Sequence, residues 1–285
     1  MTGTLYLVGT PIGNLSDISP RCREALENAD FVAAEDTRVT LKLLNHLDLR
    51  KPLVSYYEHN RAASGKRITE RLLAGESCAL VSDAGMPAIS DPGEDLVREC
   101  AALGIPVTTV PGPCALIAAL VLSGLSTGRF TFEGFLSVNN RSRRAHLDSL
   151  EKERRTMIFY EAPHKLCATL RDMADRFGPD RKVTLCRELT KLHEEVFRTT
   201  FAGALERYEQ EAPRGEFVLV VEGLPEEEAS AEGPDPEAAL LRVEALVADG
   251  MSRRDAVRQV SRETGLPKNA LYRADLQRDQ SPEQE

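Results

Sequence analysis

Val81-Ser82-Asp83-Ala84-Gly85-Met86-Pro87-Ala88-Ile89-Ser90-Asp91-Pro92-Gly93 decides the fold class of this 285-residue chain. It follows the apolar run Cys78-Ala79-Leu80-Val81 and precedes an amphipathic segment, so it reads as a strand, a long loop of small residues and a helix start. Proteins of the α/β class hold ligands in such loops, outside the carboxyl ends of a sheet. Two loops of the same kind flank it: Val8-Gly9-Thr10-Pro11-Ile12-Gly13-Asn14 after Leu5-Tyr6-Leu7, and Val110-Pro111-Gly112-Pro113-Cys114-Ala115 after Val107-Thr108-Thr109. One such loop alone reads as an ordinary tight turn; three in one half of a chain point to a single pocket.

Outward from these loops the first section alternates strand and helix. Strands are predicted at 4–9, 30–34, 53–55, 78–82 and 106–110, with helices after Ser19-Pro20 and at about 38–47, 60–74, 93–103 and 114–123. That pattern is an open α/β sheet. Leu122-Ser123-Gly124-Leu125-Ser126-Thr127-Gly128 interrupts it and marks a domain boundary, giving a first domain of residues 1–127. A second α/β domain follows at 128–224, with strands at 130–133, 156–160, 182–187, 195–200 and 216–222 and helices near 140–152, 164–177 and 202–210. Strands 182–187 and 195–200 leave no room for a helix between them, so at least one antiparallel pair is expected in a mixed sheet.

Residues 225–236, from Pro225-Glu226-Glu227-Glu228 to Gly233-Pro234-Asp235-Pro236, are acidic and rich in Pro and Gly and read as a linker. Beyond it, at 237–285, Leu240, Val243, Leu246 and Val247 have helical spacing, and Ser252-Arg253-Arg254-Asp255 matches a capping box. A helix ending at Gly265-Leu266-Pro267 and another starting near Lys268 complete a helix-turn-helix-like module carrying Arg253, Arg254, Arg258, Arg262, Lys268 and Arg273. It either meets nucleic acid or merely packs or dimerises.

No run approaches the roughly 18 apolar residues of a membrane span, and no secretory signal opens the chain, so a cytoplasmic location is expected. The six cysteines are scattered, without zinc spacing, and fit a reduced compartment; no metal is expected. A net charge of −9 argues against a nucleic-acid partner, but the charge is unevenly distributed: residues 129–198 carry +4 and residues 236–278 carry +2. Arg141, Arg143 and Arg144, clustered after Ser137-Val138-Asn139-Asn140, are candidates for phosphate contacts.

The three loops lack G-x-x-x-x-G-K-[ST] and any G-x-G-x-x-G followed by an acidic residue, which excludes the common phosphate cradles. Their glycines let a ligand approach the backbone, and their prolines limit the freedom lost on binding. An adenine edge and an amino-acid carboxylate are both readable in that way.

The motifs V-G-T-P-I-G-N-L-x-D-I, A-E-D-T-R, Y-x-E-H-N, S-D-A-G-x-P-x-I-S-D-P-G, V-P-G-P, F-Y-E-A-P-H-K and R-E-L-T-K-x-H-E-E run through residues 4–223. Together they resemble the ribosomal small-subunit RNA methyltransferase I family, a branch of the tetrapyrrole-methylase-like class, and the carboxyl-terminal segment resembles the extra domain of that branch. The resemblance implies two α/β domains of the tetrapyrrole methylase type with S-adenosylmethionine in the cleft between them, a homodimer, and 2′-O-methylation of a cytidine in the decoding region of 16S ribosomal RNA, on an assembled or nearly assembled 30S subunit. By position it places Pro11, Ile12 and Gly13 of the first loop nearest the cofactor. Gly85-Met86-Pro87 stand where tetrapyrrole methylases have Gly-Asp-Pro, which makes Met86 a backbone contact or shifts the polar role to Asp83. Ile89, Cys114 and Ala115 complete the first-domain set, and Tyr160 with the segment from Gly215 to Phe217 closes the site from the second domain.

A sulfonium is already an activated methyl donor, so alignment and exclusion of water are the main requirements, with a base to assist a ribose hydroxyl. Candidates stand in polar clusters at strand ends. Glu35, Asp36, Arg38 and Asn60 are expected to face His164, Lys165 and Glu188 across the cleft, with Arg38, Lys165 and Arg187 binding RNA and a carboxylate taking the proton. Each also has a plain structural role open to it: Asp36 as a helix cap, Glu58 as a partner of Arg61, His59 and His164 as surface histidines. Two other functions remain open, a tetrapyrrole methyltransferase using the same loops and a cofactor-sensing DNA-binding regulator.

Overall fold

The computed structural model describes residues 1–225, 236–268 and 271–272. The chain divides into two compact units, Met1–Gly223 and Leu224–Glu285.

The first unit holds two five-stranded sheets. In the first, β1 (Leu5–Val8), β2 (Phe31–Ala34), β3 (Leu53–Ser55), β4 (Cys78–Val81) and β5 (Val107–Val110) lie in the order β3-β2-β4-β1-β5, and every pair is parallel. The four-residue runs of β2 and β4 are buried throughout, as a parallel sheet covered on both faces requires. Alternation divides their side chains between two cores. Val32, Ala34, Ala79 and Val81 pack with α1 (Pro20–Asn28) and α2 (Thr37–His46) through Leu26, Leu43 and Leu44. Phe31, Ala33, Cys78 and Leu80 pack with α3 (Arg61–Leu73) and α4 (Glu94–Ala102) through Ile68, Leu72 and Leu96. Ser19 caps α1 ahead of Pro20, the residue whose missing N–H costs nothing in a first turn.

The second sheet contains β6 (Phe130–Phe135), β7 (Thr156–Glu161), β8 (Lys182–Arg187), β9 (Glu195–Thr200) and β10 (Phe217–Val221) in the order β6-β7-β10-β8-β9. It is mixed: β6 and β7 are parallel, and the remaining pairs, including β8 with β9, are antiparallel. One face is covered by α6 (Asn140–Ser149), α7 (Leu166–Phe177) and α8 (Phe201–Gln210). The other receives α5 (Ala115–Ser123), whose Leu116, Ala119 and Leu120 pack on Ile158, Cys186, Val218 and Val220. The helix that follows the third glycine-containing loop thus leaves the first sheet and seats on the second by this face, while Ile117 and Val121 on its other side stay exposed.

Strand β6 runs to Phe135 rather than ending at 133. Its pairing with β7 skips Glu133, a bulge that Gly134, at φ 66°, accommodates.

In the second unit, α9 (Pro236–Ala248) and α10 (Arg253–Thr264) pack through Ala239, Val243, Ala256, Val257 and Val260. Ser252 caps α10, its hydroxyl accepting the Asp255 N–H, and Gly265 ends the helix in the left-handed conformation. Lys268 is helical. Residues 226–235 of the expected linker, Arg273 and the last seven residues lie outside the described residues. Among the described residues no helix is long and apolar enough to cross a membrane, and no cluster of three His, Cys, Asp or Glu residues is positioned to hold a metal ion.

Candidate functional site

The loops after β1, β4 and β5 meet at the carboxyl end of the first sheet. Thr10 and Gly85 exchange two backbone hydrogen bonds, at 2.9 and 3.1 Å, and form a bridge between the first two loops. Gly9 and Gly112 bring the first and third together so closely that a Cβ on either would lie within 2.8 Å of the other's backbone. These contacts build one side of a cavity of about 460 Å³, a size suited to a small organic ligand.

The opposite wall is a row across the second sheet. Phe135 is paired with Tyr160, Tyr160 with Val218, and Val218 with Cys186, and all four line the cavity. Tyr160 Oη accepts the Leu116 N–H at 3.2 Å, from the uncapped first turn of α5. Burial pushes the Tyr160 phenol up to about 12, so it stays neutral.

The lining is acidic. It includes the carboxylates Glu35, Asp83, Asp91, Glu161 and Glu216 and, among the described residues, no Lys, Arg or His. Glu35 follows β2 directly and is held above the usual carboxylate range by burial and then by the charges of Asp91 and Asp83. Burial likewise raises Asp91, against a hydrogen bond from Ser82. Asp83 accepts the Asp36 N–H at 3.0 Å, which fixes the second loop against the start of α2. Among the described residues, four of the five non-glycine residues with positive φ, Ala88, Ser90, Glu188 and Thr190, stand in the loops beside this cavity. Such strain persists only where surrounding structure enforces it, and it concentrates at ligand sites.

Of the residues expected at a cofactor, Ile12, Asp83, Gly85, Met86, Ile89, Cys114, Ala115, Tyr160 and Phe217 line the cavity. Pro11, Gly13, Pro87 and Gly215 do not. Pro11 borders a smaller neighbouring cavity of about 270 Å³. Pro87 is buried within its loop. Gly13 lies against Lys191 and Thr190, and Gly215 against the Glu188 side chain, where a Cβ would fall 2.6 Å away. Both glycines permit close loop packing rather than a ligand contact.

Of the seven residues expected in catalysis, only Glu35 is in the lining. Asp36 caps α2 and grips Arg38 at 2.6 Å, a pairing that holds its carboxyl down at about 2. Asn60 serves the backbone instead: its side chain accepts the Tyr57 N–H and donates to the Ser55 carbonyl. His164 is exposed on the turn after β7. Lys165 is engaged by Glu161, a carboxylate only 2% exposed that also accepts the Thr169 hydroxyl and the Ala162 N–H. Glu188 is opposed by burial but held below the usual carboxylate range by Lys191 and the Glu216 N–H, which suits an ion pair and not a base. Arg61 pairs with Asp95, not with Glu58.

The expected RNA contacts divide in the same way. Arg143 is buried against Asp172, with both side chains 10% exposed, and also reaches Asn140. Arg187 is held by Glu195, which Arg207 shares. Arg141 and Arg144 remain at the surface, Arg144 lying 3.4 Å from Asp172. Asp91, Phe135, Cys186, Leu189 and Val218 line the cavity without having been singled out in sequence. Alternation along β8 and β10 is the signal that marks Cys186 and Val218.

A family model described as Tetrapyrrole (Corrin/Porphyrin) Methylases matches residues 4–204, and one described as the RsmI C-terminal HTH domain matches residues 234–279. Curated relatives named Ribosomal RNA small subunit methyltransferase I include one from Synechocystis sp., 48% identical over 275 residues (96% of this chain, 98% of the relative). Others come from Pseudomonas aeruginosa, 46% identical over 97% of this chain and 98% of the relative, and Bacillus subtilis, 42% identical over 95% and 94%. Among solved structures, the fold is shared with diphthine synthase (TM-score 0.59, 16% identity, 77% of this chain and 90% of that one). It is also shared with uroporphyrin-III-C-methyltransferase from Thermus thermophilus (TM-score 0.55, 20% identity, 76% and 94%).

Proposed function

The chain belongs to the ribosomal RNA small subunit methyltransferase I family, and from that premise we propose that it moves a methyl group from S-adenosylmethionine to the 2′-oxygen of a cytidine ribose in the decoding region of 16S ribosomal RNA. The acidic lining supports this choice of donor. Glu35, Asp83 and Asp91 stand in one cavity without a cationic side chain in its lining, a setting that rejects phosphates and favours a ligand with positive centres. When bound, S-adenosylmethionine supplies a sulfonium-activated methyl group and a cationic amino-acid end.

The protein's own residues do the rest. Gly85, Met86, Cys114 and Ala115 offer backbone groups at the first-sheet wall. Tyr160, Phe217 and Val218 exclude water from the other side. Glu35 takes the proton of the attacking ribose hydroxyl on a carboxylate oxygen, for which its raised basicity prepares it. Arg38, Arg141 and Arg144, exposed outside the cavity, meet RNA phosphates, and Arg254, Arg262 and Lys268 of the carboxyl-terminal unit add further cationic groups. The substrate is the assembled or nearly assembled 30S subunit, in the cytoplasm. The active form is a homodimer, for which Ile117 and Val121, exposed one turn apart on α5, supply an apolar face.

Titration calorimetry with S-adenosylmethionine, followed by labelled methyl transfer to undermethylated 30S subunits, free 16S RNA and tetrapyrrole precursors, tests the reading. Binding with transfer to the 30S subunit supports it. Label on a tetrapyrrole, or binding without transfer to any acceptor, overturns it.

A further inference from the structure

Phe135 is a large aromatic residue in the cavity lining that is nonetheless 56% exposed. Its position is a product of the bulge. In an uninterrupted strand, residues 132 and 135 would point to opposite faces. The extra residue Glu133 lets Phe132 pair with Ile158 and Phe135 with Tyr160, so both rings lie against Tyr160, with centroids 5.0 and 5.4 Å away and edge-to-face angles of 68° and 63°. Three details hold the device in place. Gly134 takes the positive φ the bulge needs. The extra residue is anchored, Glu133 lying 2.9 Å from His146 Nε2. Lys165 Nζ, fixed by Glu161, stands over one face of the Phe135 ring, 5.7 Å from its centroid.

The strand is therefore distorted, and the distortion maintained, in a way that presents an aromatic ring at the mouth of the cavity instead of burying it. A phenyl ring exposed beside an acidic pocket offers nothing to a phosphate, but it offers the face away from Lys165 to a flat, unstacked base. Sequence-tolerant recognition of single nucleotides relies on such faces.

We propose that Phe135 is the platform on which the target nucleobase stacks while its ribose 2′-hydroxyl is held at the reacting end of the cavity. The proposal rests on the RNA-methylating reading above and assigns to Phe135 a positioning role toward the substrate, separate from the methyl donor.

The test compares Phe135→Ala, Phe135→Leu and Phe135→Trp with the wild-type protein, measuring kcat and KM for undermethylated 30S subunits, the Kd for S-adenosylmethionine by calorimetry, and the thermal midpoint. Phe135→Ala and Phe135→Leu should lower kcat/KM for the 30S subunit by about ten- to a hundredfold, with donor Kd changed less than about twofold and the midpoint preserved. Phe135→Trp, which keeps a π face, should recover most of the activity that Leu, which keeps only apolar bulk, does not. Equal activity of the Leu and Trp variants, or an unchanged kcat/KM in Phe135→Ala, overturns the stacking role. A loss of donor affinity matching the loss of kcat/KM assigns Phe135 to the donor site and also overturns it. Absence of transfer by the wild-type protein to any RNA is a different result, which removes the proposed function itself.

Discussion

The Tyr160 hydroxyl oxygen accepts the Leu116 backbone N–H at 3.2 Å, so a residue of the second sheet satisfies the first turn of the helix that follows the third loop of the first. Cys114, at the cap of that helix, makes no side-chain capping bond, and the phenol takes on that role. Tyr160→Phe keeps the ring against Phe132 and Phe135 and removes only the acceptor. A loss of about 1 kcal/mol in unfolding free energy is expected, with a several-fold weaker donor affinity, measured by denaturant titration and calorimetry. Unchanged values for both would show that the bond organises nothing.

Glu35→Gln should separate chemistry from binding. If Glu35 takes the ribose proton, kcat should fall by about 10² to 10⁴ while donor Kd shifts only modestly. Glu188→Gln, by contrast, removes the charge that Lys191 faces and should lower stability with little effect on kcat. Single-turnover methyl transfer and thermal unfolding distinguish the two.

Donor binding should release protons. Burial and neighbouring carboxylates raise Glu35, and burial raises Asp91, so each keeps its proton to higher pH in the folded protein than in the unfolded one. Ionisation thus costs the ligand-free fold stability as pH rises from the ordinary carboxylate range through the raised one. A cationic ligand favours the ionised forms, so donor affinity should increase with pH over that window. Calorimetry in buffers of different ionisation enthalpy measures the protons released; a pH-independent affinity would contradict the electrostatic reading.

The arginines after Asn139 should behave oppositely. Arg143→Ala leaves the nearly buried Asp172 without its main partner and should cost about 3–5 kcal/mol. Arg141→Ala with Arg144→Ala should leave stability nearly intact and flatten the salt dependence of RNA affinity.

Gly112→Ala tests the joining of the loops. A Cβ there would lie 2.8 Å from the Gly9 backbone, so the first and third loops must separate. Donor affinity should fall by at least tenfold, an effect of the close approach measured as Kd, while far-ultraviolet circular dichroism stays that of the wild type.

Much of this architecture is legible in sequence because its signals are local. Strands such as Val107–Val110 and Lys182–Arg187 are bounded by turn residues, and the short interval before Glu195–Thr200 leaves only an antiparallel return. The cavity loops are legible for the same reason. What escaped depends on pairing between distant residues. Arg143 looks like one of three surface cations until Asp172, 29 positions away, neutralises it. Lys165 looks free until Glu161 proves buried, and Asn60 looks catalytic until its amide is found holding the turn it belongs to. Phe135 was hidden by a register change that strict alternation does not contain.

The position of the transferred methyl group separates a ribose 2′-oxygen from every other acceptor. Undermethylated 30S subunits would be incubated with labelled S-adenosylmethionine and the wild-type protein, and the 16S RNA digested and analysed by mass spectrometry. One added methyl on the ribose of a decoding-region cytidine, formed at least about a hundredfold more slowly with Glu35→Gln, is the expected result. A methyl on a base, or on a ribose elsewhere in the RNA, would contradict it.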